Sequence, residues 1–407
     1  MQIKKVIVIL FVLLFIPILV FADDLSPDEF FEEININNLY EVSNSTTAEP
    51  ETHSKHIVAI DRKTLSVLYE KNAYDITAMA STTKILTCIV AIENSSLNEI
   101  VTVSKKASSI HGSTLGISEN MQISMKDLLY GLMLRSGNDC AIAIAEHISG
   151  SVEGFSELMN KKVAELELKN THFVTPHGLD DDNHYTTAYE LALLTNYALS
   201  NKTFKNIVNT KIATISVNGY TRQISNTNEL LGNVNGVYGV KTGFTFNAGR
   251  CLVSACSRNN LDIIVVVLGA DTKNIRTKDS RNTINYIYNN FELLDTYDLV
   301  LENFENYKYF FNKNVVLEKT IDVPIIQLEN LDNYIFPVQK NSILDIRTKI
   351  FTFNKLSSDI PEDTKIGYLS VYYKDNLFYS LDITLKNTLT KNTWQYYFKN
   401  ILKDYFL

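Results

Sequence analysis

The stretch that most limits what this chain can fold into is Ala80-Ser81-Thr82-Thr83-Lys84-Ile85-Leu86-Thr87, which opens an apolar run lasting through Ile92. Ile85, Leu86, Cys88, Ile89, Val90 and Ile92 cover most faces of the helix they predict, so that helix must be buried on most sides. Spaced i and i+3, Ser81 and Lys84 share a face at its N-terminus. A serine hydroxyl needs an adjacent base to act as a nucleophile, and a lysine is that base only when burial or another cation holds it neutral. On its own the tetrad reads more simply as a helix cap followed by a solvated lysine. Its context decides.

At 407 residues the chain has room for more than one domain, and its net charge of −8, with both signs mixed along it, leaves no footprint for nucleic acid. Lys4 and Lys5 precede an apolar run from Val6 to Phe21, and Val20-Phe21-Ala22 stands before Asp23-Asp24. Residues 1–22 therefore read as a secretory signal. An uncleaved membrane anchor is the alternative, disfavoured by the short run and by Pro17. Residues 23–55 are acidic, polar and aperiodic, and read as a poorly ordered linker. Cys88, Cys140, Cys251 and Cys256 lie in apolar surroundings without metal-ligand spacing, which predicts buried thiols with one disulfide open to an exported chain. His172 and His177 lack the spacing of a zinc helix, so no metal or other cofactor is expected.

Residues 56–292 alternate strand and helix signals. His56–Ile60 and Ser66–Tyr69 read as a hairpin, Met125–Arg135 and Cys140–Ile148 as helices, and Val237–Val240, Cys251–Cys256 and Leu261–Leu268 as strands. Further helices are expected from about Thr187 to Leu199 and from about Ser280 to Asn290. The predicted class is α+β, an antiparallel sheet flanked by helices. Residues 293–388 carry short strand-like runs without convincing helices, and read as a small β-sandwich-like domain. Residues 389–407 place Trp394, Tyr397, Phe398, Ile401, Leu402, Tyr405 and Phe406 at helical spacing, an amphipathic end suited to a membrane surface or to docking on the β module.

Two further motifs follow the tetrad: Ser136-Gly137-Asn138 between two apolar helices, and Lys241-Thr242-Gly243 where a strand ends. Ser-x-x-Lys, Ser-x-Asn and Lys-Thr-Gly in that order are a known signature of β-lactamases and penicillin-binding proteins, so the trio is recognised rather than deduced. Within that group the chain resembles the low-molecular-mass penicillin-binding proteins, the serine D-alanyl-D-alanine carboxypeptidases. The resemblance runs from about Ile57 to Phe291 and includes His177-Gly178-Leu179, Val240-Lys241-Thr242-Gly243-Phe244-Thr245, Ala248-Gly249 and Val266-Val267-Leu268-Gly269-Ala270.

The resemblance implies a transpeptidase-like catalytic domain, acting on peptidoglycan stem peptides that end in D-Ala-D-Ala and acylated by β-lactams. Ser81 would be the nucleophile, Lys84 its base, and Ser136 a proton relay to the leaving amine. Asn138 would hold Lys84 and the substrate amide, Lys241 and Thr242 would bind the terminal carboxylate, and Gly243 would let substrate backbone approach. The oxyanion donors would be the N–H groups of Ser81 and Phe244. Arg276 matches a carboxylate-binding arginine, with Arg281 as its competitor. Departures from the family pattern are Cys140 for alanine, Leu65 for glycine and Glu190 for aspartate. A β-lactamase would need a deacylating glutamate, for which Glu165-Leu166-Glu167-Leu168-Lys169 is only a near miss. A silent wall-binding protein would have lost one of the three motifs.

Overall fold

The computed structural model describes residues 48–403, apart from 319, 321, 330–334, 341–345, 354, 358–359, 374–375, 395–397 and 399–400. The predicted signal and most of the linker lie outside the described residues. The chain divides into two units, Met1–Asn289 and Asn290–Leu407.

The first unit begins with β1 (His56–Asp61) and β2 (Val67–Lys71), joined by a turn that puts Leu65 at φ 60°. That left-handed position explains the glycine expected there. A 3₁₀ turn, Ala80–Thr83, leads into α1 (Lys84–Asn94), so Ser81 precedes the regular helix rather than opening it. There follow β3 (Ile100–Thr102), α2 (Lys105–Ser108), β4 (Gln122–Ser124), α3 (Met125–Leu134), α4 (Asn138–Ser149), α5 (Val152–Glu165), α6 (Ala188–Ser200) and α7 (Lys202–Val208). A hairpin, β5 (Ile212–Val217) and β6 (Tyr220–Ser225), precedes β7 (Val237–Thr245), β8 (Gly249–Arg258), β9 (Leu261–Ala270) and α8 (Lys273–Asn290).

The main sheet is antiparallel, in the order β2-β1-β9-β8-β7. Val58, Ile60, Ile264, Val266 and Leu268 enter the core that contains α1, and the alternate residues Ile57, Ala59, Ile263, Val265 and Val267 are equally buried. A sheet covered on both faces explains why Leu261–Leu268 reads as an unbroken apolar run. Helix α6 packs on β1 and β9, α7 on β7, and α1 is surrounded by α3, α4, α5 and α6. The four cysteines are buried thiols. Helix α8 is anchored by Tyr288, whose hydroxyl donates to the carbonyls of Cys256 (2.7 Å) and Leu261 (3.1 Å).

Two sequence expectations are corrected here. Helix α8 starts at Lys273, not near Ser280, because buried Arg276 and Asp279 replace the apolar spacing that would have marked its first turns. The linker reading extends too far: Ser54 is buried, and its N–H (2.6 Å) and hydroxyl (2.5 Å) donate to Asp279 Oδ2.

The second unit is not all-β. After β10 (Phe291–Asp295) it carries α9 (Tyr297–Asn314), an 18-residue helix whose Val300, Phe304 and Phe311 enter the core. Around it lie β11 (Val316–Glu318), β12 (Ile326–Leu328), β13 (Ile335–Gln339), β14 (Ile346–Thr352), β15 (Lys355–Ser357), β16 (Lys365–Tyr373) and β17 (Asn376–Leu385). The largest sheet has the order β12-β17-β16-β14, with β10 paired to β13 and β11 to β15. Leu389 is buried and bridges to Ile360, so the module extends slightly past 388. Beyond it, Trp394, Phe398, Ile401 and Leu402 are helical and exposed.

Candidate active site

The 3₁₀ turn that carries Ser81 is held from below by the loop 171–186. Ala80 has φ 47°, and a Cβ added to Gly178 (φ +86°) would lie 2.0 Å from the Ala80 carbonyl oxygen. Only glycine lets the two backbones meet. Thr83 Oγ1 donates to Ala80 O (2.8 Å) and is itself bonded to His184 Nε2 (2.7 Å). Thr87 Oγ1 donates to Pro176 O (2.7 Å). The loop in turn is fixed by Glu190, which accepts from the N–H groups of Lys169 and Asn170 and from the Thr171 hydroxyl. That long reach gives the glutamate its use where the sequence pattern expects aspartate.

Lys84 is fully buried, as α1 begins inside the core. Its Nζ lies 2.7 Å from Ser81 Oγ and donates to Asn138 Oδ1 (2.8 Å) and His177 O (2.7 Å). Asn138, the first residue of α4, is fixed by its own donations to His111 O (2.8 Å) and, through its backbone N–H, to Ser113 O (2.7 Å). Next to it Asp139 gathers the N–H groups of Leu115 (2.9 Å), Gly116 (2.8 Å) and Ile117 (3.2 Å), so α4 organises the preceding loop as well as the lysine. Ser136 is buried at φ 59°, and its hydroxyl has no hydrogen-bond partner among the described residues. Cys140 fills the space between Gly131 and Gly137: a Cβ on either would lie 2.8 Å from its Sγ.

Burial dominates the local electrostatics. It holds the His177 imidazole down at about 3 and His184 at about 4. Both are neutral near pH 7. Burial, reinforced by Asp139, pushes the Cys140 thiol up.

Strand β7 forms the third wall. A Cβ on Gly243 would lie 3.0 Å from Ser81 N and 3.2 Å from Thr82 N, so the strand runs directly against the nucleophile turn. Lys241 and Thr242 are buried, with Lys241 Nζ donating to Thr242 O (2.8 Å) and Thr242 Oγ1 bonded to Thr227 Oγ1 (2.7 Å). The Phe244 ring stacks under the Arg250 guanidinium at 3.8 Å. Thr245 Oγ1 donates to Asp180 Oδ1 (2.5 Å), tying the strand end to the loop 171–186.

Ser81, Lys84, Asn138 and Gly243 thus come together directly. Arg276 is fully buried and pairs with Glu229 (2.7 Å), which also pairs with Lys273 (2.6 Å). Its competitor Arg281 is half-buried on the same helix. Glu229, Thr227 and His184 lie outside every motif, and Thr83 and Asp139, which stand within or beside the motifs, have no role that the sequence assigns. The β-lactamase-like glutamate is misplaced: Glu165 is solvent-facing and pairs with Lys162 (2.7 Å), which also binds Glu93 near the far end of α1. At 1.5 Å per residue, that end lies about 13 Å from Lys84.

Comparison with known proteins agrees with this geometry. The profile of the D-alanyl-D-alanine carboxypeptidase family, peptidase S11, matches residues 43–272. The D-alanyl-D-alanine carboxypeptidase DacF of Bacillus subtilis is 29% identical over 367 residues, 88% of this chain and 92% of the relative. DacA of Haemophilus influenzae is 34% identical, covering 66% of this chain and 70% of the relative. Among solved structures, penicillin binding protein 5 from Haemophilus influenzae superposes with a TM-score of 0.69 at 26% identity, over 85% of this chain and 100% of that one. The Streptomyces K15 DD-transpeptidase does so with a TM-score of 0.57 at 32% identity, over 59% of this chain and 98% of that one. A profile matching more than half of the chain, over the stretch that builds the Ser81 site, places it: this chain belongs to the D-alanyl-D-alanine carboxypeptidase family of serine peptidases.

Proposed function

We propose that Ser81 removes the terminal D-alanine from peptidoglycan stem peptides through an acyl-enzyme. The observation that carries this reading is the Lys84 amine 2.7 Å from Ser81 Oγ, with Asn138 Oδ1 and His177 O accepting from it. A neutral lysine has two N–H groups for those acceptors and one lone pair for the serine proton. Ser81 Oγ adds to the carbonyl carbon between the two D-alanines as Lys84 takes its proton. The C–N bond then breaks, with Ser136 passing a proton to the leaving amine, and water hydrolyses the ester. The N–H groups of Ser81 and Phe244 hold the oxyanion, Lys241 and Thr242 receive the terminal carboxylate, and Arg276 supports that end of the site. Penicillins acylate the same serine and leave slowly, since Glu165 is elsewhere.

The site works outside the cytoplasmic membrane, on the cell wall. The first unit, up to Asn289, forms its catalytic domain, and the second is an accessory module. Among the described residues no helix is long and apolar enough to cross a membrane. The exposed Trp394, Phe398, Ile401 and Leu402 instead rest in the membrane interface.

The test is intact mass of protein lacking residues 1–22, before and after a penicillin, beside Ser81→Ala, with D-alanine release from a pentapeptide measured in parallel. A stable adduct on wild type alone, together with release, supports the reading. A folded protein giving neither overturns it.

A further inference from the structure

The turn that carries Ser81 is held by a directional chain of hydrogen bonds that begins outside the three motifs. Val174 N–H donates to His184 Nδ1 (3.0 Å), so that nitrogen carries no proton and Nε2 is the N–H. Nε2–H therefore donates to Thr83 Oγ1 (2.7 Å), whose single proton goes on to the Ala80 carbonyl (2.8 Å). His184, Thr83 and Ala80 are buried, and the Phe173 ring meets His184 edge-on at 5.4 Å. The carbonyl at the end of the chain belongs to the Ala80–Ser81 peptide. The other end of that rigid plane is the Ser81 N–H. Ala80 itself occupies a left-handed conformation that alanine does not favour, so the plane is held by its surroundings.

We infer that His184, acting through Thr83, is a positioning residue for the oxyanion hole: it fixes and polarises the Ala80–Ser81 peptide so that Ser81 N–H points at the developing negative charge. Each donor in such a chain strengthens the next, and a donation into a peptide carbonyl makes its N–H a better donor. The gain falls on the transition state rather than on substrate binding. This inference rests on the proposed acyl-enzyme reading.

The variants are Thr83→Val, which keeps shape and loses both bonds, Thr83→Ser, His184→Ala and His184→Gln, which keeps a donor. Each is assayed for kcat and KM on a peptide ending in D-Ala-D-Ala, for the rate of Ser81 acylation by a penicillin, and for thermal stability. Thr83→Val and His184→Ala should lower kcat and the acylation rate by about tenfold or more with KM changed by less than about twofold, and Thr83→Ser and His184→Gln should recover most of the loss. Unchanged kcat in Thr83→Val and His184→Ala, or kcat and stability lost equally in the rescuing variants, would overturn it. If wild type acylates while these variants acylate as fast, the acyl-enzyme reading survives and this inference does not. If wild type forms no adduct, both fall.

Discussion

Replacing Gly178 by alanine puts the loop under the nucleophile to a direct test. The new Cβ would stand 2.0 Å from Ala80 O, 2.6 Å from its carbon and 2.6 Å from Thr83 Oγ1. Ordinary contact begins near 3.4 Å, so the two backbones must separate by roughly 1.4 Å. Holding alanine at a positive φ costs about 1–2 kcal/mol, and overpacking a rigid contact adds about 1–3 kcal/mol. The expected destabilisation is about 2–5 kcal/mol, or roughly 5–15 °C in Tm for a domain of this size. The displaced atoms flank Ser81, and a misplacement of about 1 Å costs on the order of 100-fold in rate. Thermal unfolding and stopped-flow acylation by a fluorescent penicillin measure the two effects. A variant melting within about 2 °C of wild type and acylating within about threefold would refute the argument that these backbones are in obligatory contact.

Protonation gives a second prediction. His177 and His184 are depressed to about 3 and about 4 from 6.5, so between those values the unfolded chain binds more protons than the folded one. Their contribution is complete above pH 6.5 and is lost as pH falls, toward about 4 for His184 and about 3 for His177, at about 1.4 kcal/mol per pH unit for each. Urea unfolding at pH 7 and pH 5 measures the slope, and His184→Gln should remove about half of it. Glu165→Gln should leave the lifetime of the penicilloyl adduct unchanged, followed by intact mass over time, because this carboxylate faces solvent beside Lys162. Asp139→Asn should cost about 2–4 kcal/mol in chemical denaturation, since an amide cannot accept from the N–H groups of Leu115, Gly116 and Ile117 as the carboxylate does. Paired substitution of Trp394 and Phe398 by serine should abolish cosedimentation with anionic lipid vesicles and leave kcat on a soluble peptide unaltered.

What could be read in the chain follows the kind of force that fixed each part. The helix from Lys84, the strands around Val240 and Val265, and the motif serines and lysines announce themselves through apolar patterning or through chemistry that few side chains can perform. The early turns of α8 do not, because Arg276 and Asp279 are buried by partners such as Glu229 and Ser54 that lie far away in sequence. Helix α9 was legible and was missed: Val300, Phe304, Tyr307 and Phe311 repeat at helical spacing, obscured by aromatic residues that also suit strands. Loop 171–186 is legible only at the His177-Gly178-Leu179 turn, and the roles of that turn and of His184 are not. Its work is done by backbone carbonyls, a glycine and an ordinary histidine, none of which is marked by its type.

The order of the main sheet also sets when the site can exist. Strand β1 pairs with β9, its partner from about 200 residues later in the chain, and Gly243 reaches Ser81 only once β7 has joined the same sheet. Such long-range pairing makes folding slow relative to local helix formation, and no fragment ending before Ala270 holds a finished sheet. A chain threaded through a membrane from its N-terminus would carry Ser81 across early and inert. The nucleophile turn meets Gly243 and a finished sheet only after the strand ending at Ala270 has arrived.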